Sequence, residues 1–152
     1  MSNKASILLN FVVGIFQDMP LVNTVVFKDD DVVDVEKENV YPLVSIQLLT
    51  SPAPFDDHRE FRLRFEVYNQ RDDLKVATPS KLMSDTNYID NVGICDSIGN
   101  DFLMEILKTH NDFDINVVED SVSEFEPVRK DERNCLDGIK FEATFSMHQN
   151  AI

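Results

Sequence analysis

Two stretches in which apolar and polar residues strictly alternate constrain the fold of this chain more than any other feature. The first places apolar side chains at every second position from Phe61 to Val67, and the second does so from Ile139 to Met147. Successive side chains of a β-strand point to opposite faces of its sheet. Each stretch therefore predicts a strand with one face in the core and the other towards water or a partner.

Two amphipathic helices are predicted by apolar residues that recur at three- and four-residue steps. The first stripe occupies residues 7–16 and ends before Pro20. The second occupies residues 88–106, and Leu103 and Leu107 widen it. Each stripe indicates a helix that packs on a core with one side.

Shorter β-rich segments and polar loops complete the predicted organisation. Strands are expected within residues 21–27, 32–35, 40–49 and 114–127, and polar loops at 69–87 and 129–138. Strands that follow one another through short links pair antiparallel. We therefore expect one α+β domain over residues 1–152, an antiparallel β-sheet with the two amphipathic helices packed on one face.

The charge balance of the chain is strongly acidic. Its 152 residues hold 28 Asp and Glu against 14 Lys and Arg, which gives a formal net charge of -14 and a pI near 4.4. Gripping the phosphates of nucleic acid requires clustered Lys and Arg, whereas an acidic field attracts basic partners. Direct binding of nucleic acid is therefore not expected.

The cysteines and the beginning of the chain give the expected compartment. Cys95 falls on the second predicted helix and Cys135 in a polar loop, a placement that favours free thiols over a disulfide. The first apolar run lacks the cleavage pattern of a signal peptide and is closed by Gln17, Asp18 and Pro20. We expect a protein made and used in cytoplasm, without a membrane partner.

No residue pattern in the sequence has the spacing of a metal or cofactor site. Asp29, Asp31 and Asp34 resemble the opening of a calcium loop, but the turn glycine is missing and Val40 stands at the closing position. The three histidines, at positions 58, 110 and 148, are separate from one another and from the cysteines. No cofactor, no metal and no enzymatic activity are therefore predicted.

One enzymatic alternative is a metal-dependent nuclease. Asp56 and the Asp73-Leu74-Lys75 segment contain the acids and the lysine that such enzymes use to hold a divalent ion and stabilise developing charge. Asp73 and Lys75 fall in a predicted loop, however, and the chain offers no basic face to seat DNA. This alternative is the weakest of those considered.

Several basic and aromatic residues are candidates for contacts between subunits. Arg62 and Arg64 lie on the outward face of the first long strand, where they either pair with carboxylates across an interface or form cross-strand pairs within the sheet. The segment 129–133 is either solvated surface or a charged seam between subunits. The candidate interface residues are Arg62, Arg64, Tyr68, Arg129, Lys130 and Arg133.

A series of short motifs runs along nearly the whole chain. In chain order they are Asn23-Thr24 before a strand, Asp34 before Tyr41-Pro42-Leu43, the strand from Phe61 to Val67, Ser84-Asp85 before the second helix, Glu126-Pro127, and Asn134, Leu136 and Gly138 before the strand from Phe141 to Phe145. This order resembles the small tail-terminator and head-to-tail connector proteins of tailed bacteriophages, particularly those of crAss-like phages and relatives infecting Bacteroidota. Each motif is short, and the likeness lies in their order.

The resemblance implies a structural virion protein of the phage neck or tail, assembled in the host cytoplasm. Copies of it would form a six- or twelvefold ring that contacts portal, connector or tail-tube proteins. Genomic DNA would pass through the ring without specific binding, because a wall of carboxylates repels its phosphates. The candidate channel-lining acids are Asp29, Asp30, Asp31, Asp56, Asp57, Asp72 and Asp73.

An alternative function of a different class also fits the acidic composition. An acidic protein can imitate DNA and thereby occupy a basic host nuclease or regulator. Such a protein would show salt-sensitive binding to its target and would be absent from virions.

Overall fold

A computed structural model describes residues 4–27, 40–51, 58–71, 88–108, 114–130 and 136–148 of the chain. These residues form two helices, six strands and one turn of 3₁₀-helix. The elements are α1 (Lys4–Gln17), β1 (Thr24–Val26), β2 (Leu43–Thr50), β3 (His58–Gln70), α2 (Tyr88–Lys108), β4 (Asn116–Val117), the 3₁₀ turn (Glu119–Ser121), β5 (Glu126–Lys130) and β6 (Leu136–His148).

The described strands form one six-stranded mixed sheet. Its order is β1-β2-β3-β6-β4, and β5 pairs with β6 beside β4. All pairs are antiparallel except β1 with β2, which is parallel. The prediction of a purely antiparallel sheet was therefore wrong at this edge. Residues 27–42 separate β1 from β2, which is enough chain for the return that parallel pairing requires. The strand predicted at 32–35 lies outside the described residues.

The two long strands predicted from alternation are confirmed and are neighbours at the centre of the sheet. Phe65 of β3 lies opposite Phe141 of β6, and Phe61 lies opposite Phe145. Both strands are longer than the alternation indicated. β3 continues to Gln70, into the loop predicted at 69–87, and β6 begins at Leu136.

The core forms where both helices meet the alternating apolar face of the sheet. The ring of Phe65 lies 5.8 Å from that of Phe16 on α1 and 5.0 Å from that of Phe102 on α2. The rings of Phe16 and Phe102 are stacked on each other at 4.2 Å. Because one residue of β3 touches both helices, α1 and α2 pack on the same face of the sheet, as predicted.

The segment between α2 and β6 differs most from the prediction. One strand was expected from Asp114 to Pro127, followed by a loop, but β4 has only two residues and a separate strand β5 covers 126–130. Between them the backbone amides of Thr144 and Glu142 donate to the side-chain oxygens of Ser121 and Ser123. The two serines thus supply acceptors to β6 where the ladder is interrupted.

Candidate interaction surfaces

The outward face of the sheet carries a fork of two arginines around one carboxylate. Arg62 Nε donates to Glu142 Oε1 at 2.9 Å, and Arg64 Nη2 donates to Glu142 Oε2 at 3.2 Å. Arg62 Nη1 also donates to Thr144 Oγ1 at 3.0 Å. Of the two alternatives for these arginines, cross-strand pairing within the chain is the one that the structure shows. Both side chains remain about a third exposed, at 32% and 38%.

The fork changes the acidity of its carboxylate. Partial burial by itself would raise the pKa of Glu142. The hydrogen bonds and positive charges of Arg62 and Arg64 outweigh burial, so the pKa of Glu142 lies below its ordinary value. Glu142 therefore stays ionised at neutral pH and keeps both arginines in place.

Tyr68 does not lie on an accessible surface, contrary to its prediction as an interface residue. It is fully buried and packs with Leu43 and Leu136 in a second apolar cluster, on the face opposite the helices. Its hydroxyl donates to Glu66 Oε2 at 2.9 Å, and Glu66 is buried as well. One end of the outward face is therefore apolar and buried, which alternation alone could not show.

A buried carboxylate lies at the start of β6. Asp137 is fully buried, with Arg71 Nε 3.4 Å from its Oδ2 and Arg129 Nε 3.8 Å from its Oδ1. Sequence reasoning missed this cluster because it placed Asp137 in a loop. Asp137 continues the inward alternation two positions before Ile139, and that signal could have identified it.

The remaining candidate cations contact aromatic rings of the same chain. The guanidinium of Arg129 lies 5.5 Å from the centre of the Tyr88 ring, and Lys130 Nζ lies 5.9 Å from that of Tyr68. Arg129 keeps 41% of its side chain exposed, so it can still reach a neighbour. The last candidate, Arg133, lies outside the described residues.

Cys95 is a free thiol, as predicted, and it is buried. Its Sγ lies 3.8 Å from the backbone carbonyl oxygen of Asp137. Burial, and secondarily the charge of Asp137, raises the pKa of Cys95 to about 12. The thiol therefore stays protonated and unreactive at neutral pH. Cys135 lies outside the described residues.

The candidate channel-lining acids all lie outside the described residues. These are Asp29, Asp30, Asp31, Asp56, Asp57, Asp72 and Asp73. Lys75 of the nuclease alternative lies outside them too. Among the residues that the structure does describe, no three His, Cys, Asp or Glu side chains gather into a metal-binding group.

The outer side of α2 carries two neighbouring grooves that sequence reasoning did not anticipate. The first, called here the apolar groove, has a volume of about 250 Å³ and is lined by Asn100, Leu103, Met104, Leu107, Val117, Glu119 and Val122. The second, the acidic groove, has a volume of about 410 Å³ and is lined by Ile15, Asp18, Met19, Pro20, Asp101, Met104, Glu105 and Lys108. Met104 lines both grooves.

Two apolar helix residues in these grooves are unusually exposed for their type. Met104 is 50% exposed and Leu107 is 68% exposed. The prediction that Leu107 widens the core-facing stripe was therefore wrong, because this side chain points away from the sheet. Contiguous apolar side chains at a surface are typical of a contact site.

Three exposed apolar residues lie next to the ends of β1 and the start of β2, at one edge of the sheet. Leu21, Phe27 and Val40 are each at least half exposed and are called here the β1-edge patch. Thr24 Oγ1 donates to the carbonyl of Val40 at 2.6 Å, which ties the two chain segments of the patch together. β1 is an end strand, so its outer side has no neighbour in the described sheet.

Comparisons with known proteins add no family to this geometry. No protein-family model matches the chain, and no curated protein shows significant similarity to it. Within the described ranges, neither helix combines the length and the hydropathy needed to cross a membrane.

Proposed function

We propose that this chain is a non-enzymatic structural subunit of the neck or tail of a tailed bacteriophage. In this role its copies form a ring, six- or twelvefold, at the head-proximal end of the tail. The ring joins the portal or connector to the tail and surrounds the channel through which the genome passes.

The observation that carries the proposal is the presence of two separate exposed apolar surfaces. The β1-edge patch lies at one edge of the sheet, and the apolar groove includes Val117 of β4 at the opposite edge. Rings are built by head-to-tail contacts between two different surfaces of each subunit, and stacked rings require a further contact. A subunit with separate apolar surfaces can contact a copy of itself at one surface, the β1-edge patch, and a protein of an adjacent ring at the other, the apolar groove.

The fold and the order of motifs also support the proposal. Two helices on one face of a mostly antiparallel sheet are the arrangement that the resemblance to tail-terminator and connector proteins implies. The strand from Phe61 to Val67 and the closing strand around Phe141 are the two central strands.

The charge balance fits a subunit that surrounds moving DNA. The net charge of -14 repels a duplex that carries one negative charge about every 1.7 Å of its axis. A channel wall of this kind would let the genome slide without being held.

The decisive test is the composition of the virion. Phage particles purified on a density gradient from a culture that produces this chain are analysed by quantitative mass spectrometry, with a replication protein of the same phage as the negative control. We expect six or twelve copies per particle. Absence of the chain from particles that contain portal and tail-tube proteins refutes the proposal.

A variant at the sheet edge tests the ring itself. Phe27→Glu places a charge in the β1-edge patch, whereas Ile89→Glu changes a still more exposed apolar residue on α2. We expect native mass spectrometry of particle-derived or co-expressed rings to show loss of assembly for Phe27→Glu alone. Equal assembly of both variants contradicts the assignment of this patch.

A further inference from the structure

We infer that the outer side of α2 binds a basic segment of another protein, one that carries apolar anchor residues and lies along Leu103, Met104 and Leu107. The inference rests on the proposed function only for the source of the partner, which would be a neighbouring protein of the assembly. Its physical basis lies in the side chains of the two grooves.

The three anchor-binding residues form a continuous apolar strip on the helix. Leu107 lies four positions after Leu103 and three after Met104, which places it next to both on the surface of α2. Val117 and Val122 extend the strip across the apolar groove towards β4. An extended or helical segment with apolar side chains at matching intervals would bury this strip.

The rim of the strip has the charge that selects a basic partner. Four carboxylates, of Asp18, Asp101, Glu105 and Glu119, line the two grooves, and the amine of Lys108 is the single cation among the groove residues that the structure describes. Charges of opposite sign around an apolar centre favour association, and charges of like sign oppose it.

The same charges argue against a second copy of this chain as the occupant. Two copies that met groove to groove would bring their carboxylate rims together, with one lysine per copy to offset them. Any other face of a second copy also belongs to a chain of net charge -14, which opposes the acidic rim. A basic segment from a different protein meets the rim with the opposite charge. We therefore assign the surface to a partner of this kind.

The experiment uses the full-length chain and two fluorescent peptides, with binding measured by fluorescence anisotropy. The first peptide carries leucines at intervals of three and four residues and lysines elsewhere, and the second carries glutamates in place of the lysines. We expect the lysine peptide to bind and the glutamate peptide not to bind. The affinity of the lysine peptide should fall as the salt concentration is raised, because its attraction to the rim carboxylates is then screened.

Leu107→Asp separates docking on the strip from general attraction to an acidic protein. This variant adds a negative charge, so a purely electrostatic interaction with the lysine peptide would strengthen. If the lysine peptide docks on the strip, its affinity should instead fall at least about tenfold, since the burial of one leucine contributes that much to affinity. Ile89→Asp adds the same charge elsewhere on α2 and should change affinity less than about twofold. Both side chains are about 70% exposed (68% and 70%), so circular dichroism should show an unchanged fold.

Three results would overturn the inference. The first is equal binding of both peptides, or of neither. The second is a loss of affinity that is as large for Ile89→Asp as for Leu107→Asp. The third is self-association of the chain that Leu107→Asp abolishes, which would assign the surface to a second copy. A chain that binds the lysine peptide at this strip but is absent from virions refutes the proposed function alone.

Discussion

Gly93 and Gly99 of α2 provide a matched test of how this helix packs on the sheet. A methyl group added at Gly93 would meet no atom within 4 Å. At Gly99 it would lie 2.8 Å from the Phe125 ring and 3.1 Å from the Phe141 ring. These two rings are stacked on each other at 4.5 Å, so neither can move without disturbing the other.

The expected free energies follow from two opposing effects. Replacement of glycine by alanine within a helix stabilises it by about 0.8–1.0 kcal/mol. Overpacking of a well-packed core costs about 1–3 kcal/mol. Gly93→Ala should therefore raise the free energy of unfolding by about 1 kcal/mol, whereas Gly99→Ala should lower it by up to about 2 kcal/mol. The difference between the two variants measures the overpacking alone.

Urea denaturation followed by far-ultraviolet circular dichroism gives both values. The slope of the unfolding free energy against urea concentration should be the same in all variants, so that the urea midpoints report stability directly. In a Phe125→Ala background the loss of stability caused by Gly99→Ala should be smaller by about 0.5 kcal/mol or more, because the ring atoms closest to the added methyl group are gone. If Gly99→Ala proves as stable as Gly93→Ala, the close approach of α2 to the sheet is wrong.

Three further substitutions test other contacts. Glu142→Gln removes a carboxylate whose pKa is lowered in the folded protein. Such a group stabilises the fold at pH values above its unfolded pKa, and this stabilisation is lost as the pH falls through its folded pKa. The variant should be about 0.5–1 kcal/mol less stable at neutral pH and equal to the wild type in acid, as judged by urea midpoints at both pH values; an equal deficit at both would contradict the assignment. Gly138→Ala would drive a methyl group into the carbonyl oxygen of Val67, so we expect a loss of about 3 kcal/mol or more, seen as a low melting temperature or poor soluble yield. Ser121→Ala leaves the Thr144 amide without its acceptor, which should cost about 1 kcal/mol and accelerate hydrogen exchange at that amide; unchanged exchange would argue against the bond.

The regular elements were predictable because their local patterns are strong. The alternation around Phe65 and Phe141 predicts a strand, and the apolar stripe of α1 predicts a helix, without a competing interpretation. Both also determine which side chains face the core. The short strands β4 and β5 were misjudged, since β5 is an edge strand whose residues alternate only weakly in polarity.

The candidate surfaces were less predictable than the elements. Arg62 and Arg64 could be placed on the outward face, but their shared partner Glu142 is about eighty positions away in sequence and is brought near by the β3–β6 register. Tyr68 was expected outside because it has the outward phase, yet it is buried in the second apolar cluster. Exposure of Leu107 likewise depends on how α2 is rotated against the sheet.

The amino-acid sequence by itself determined the α+β class, the two helices, the two central strands, the inward side chains of those strands and the acidic charge, because each of these depends on residues that are neighbours along the chain. The tertiary structure alone decided the parallel edge, the arginine fork, the buried Asp137 and the grooves beside α2. Each of these is formed by side chains or strands distant in sequence, and their meeting depends on strand order and register, which local patterns do not encode.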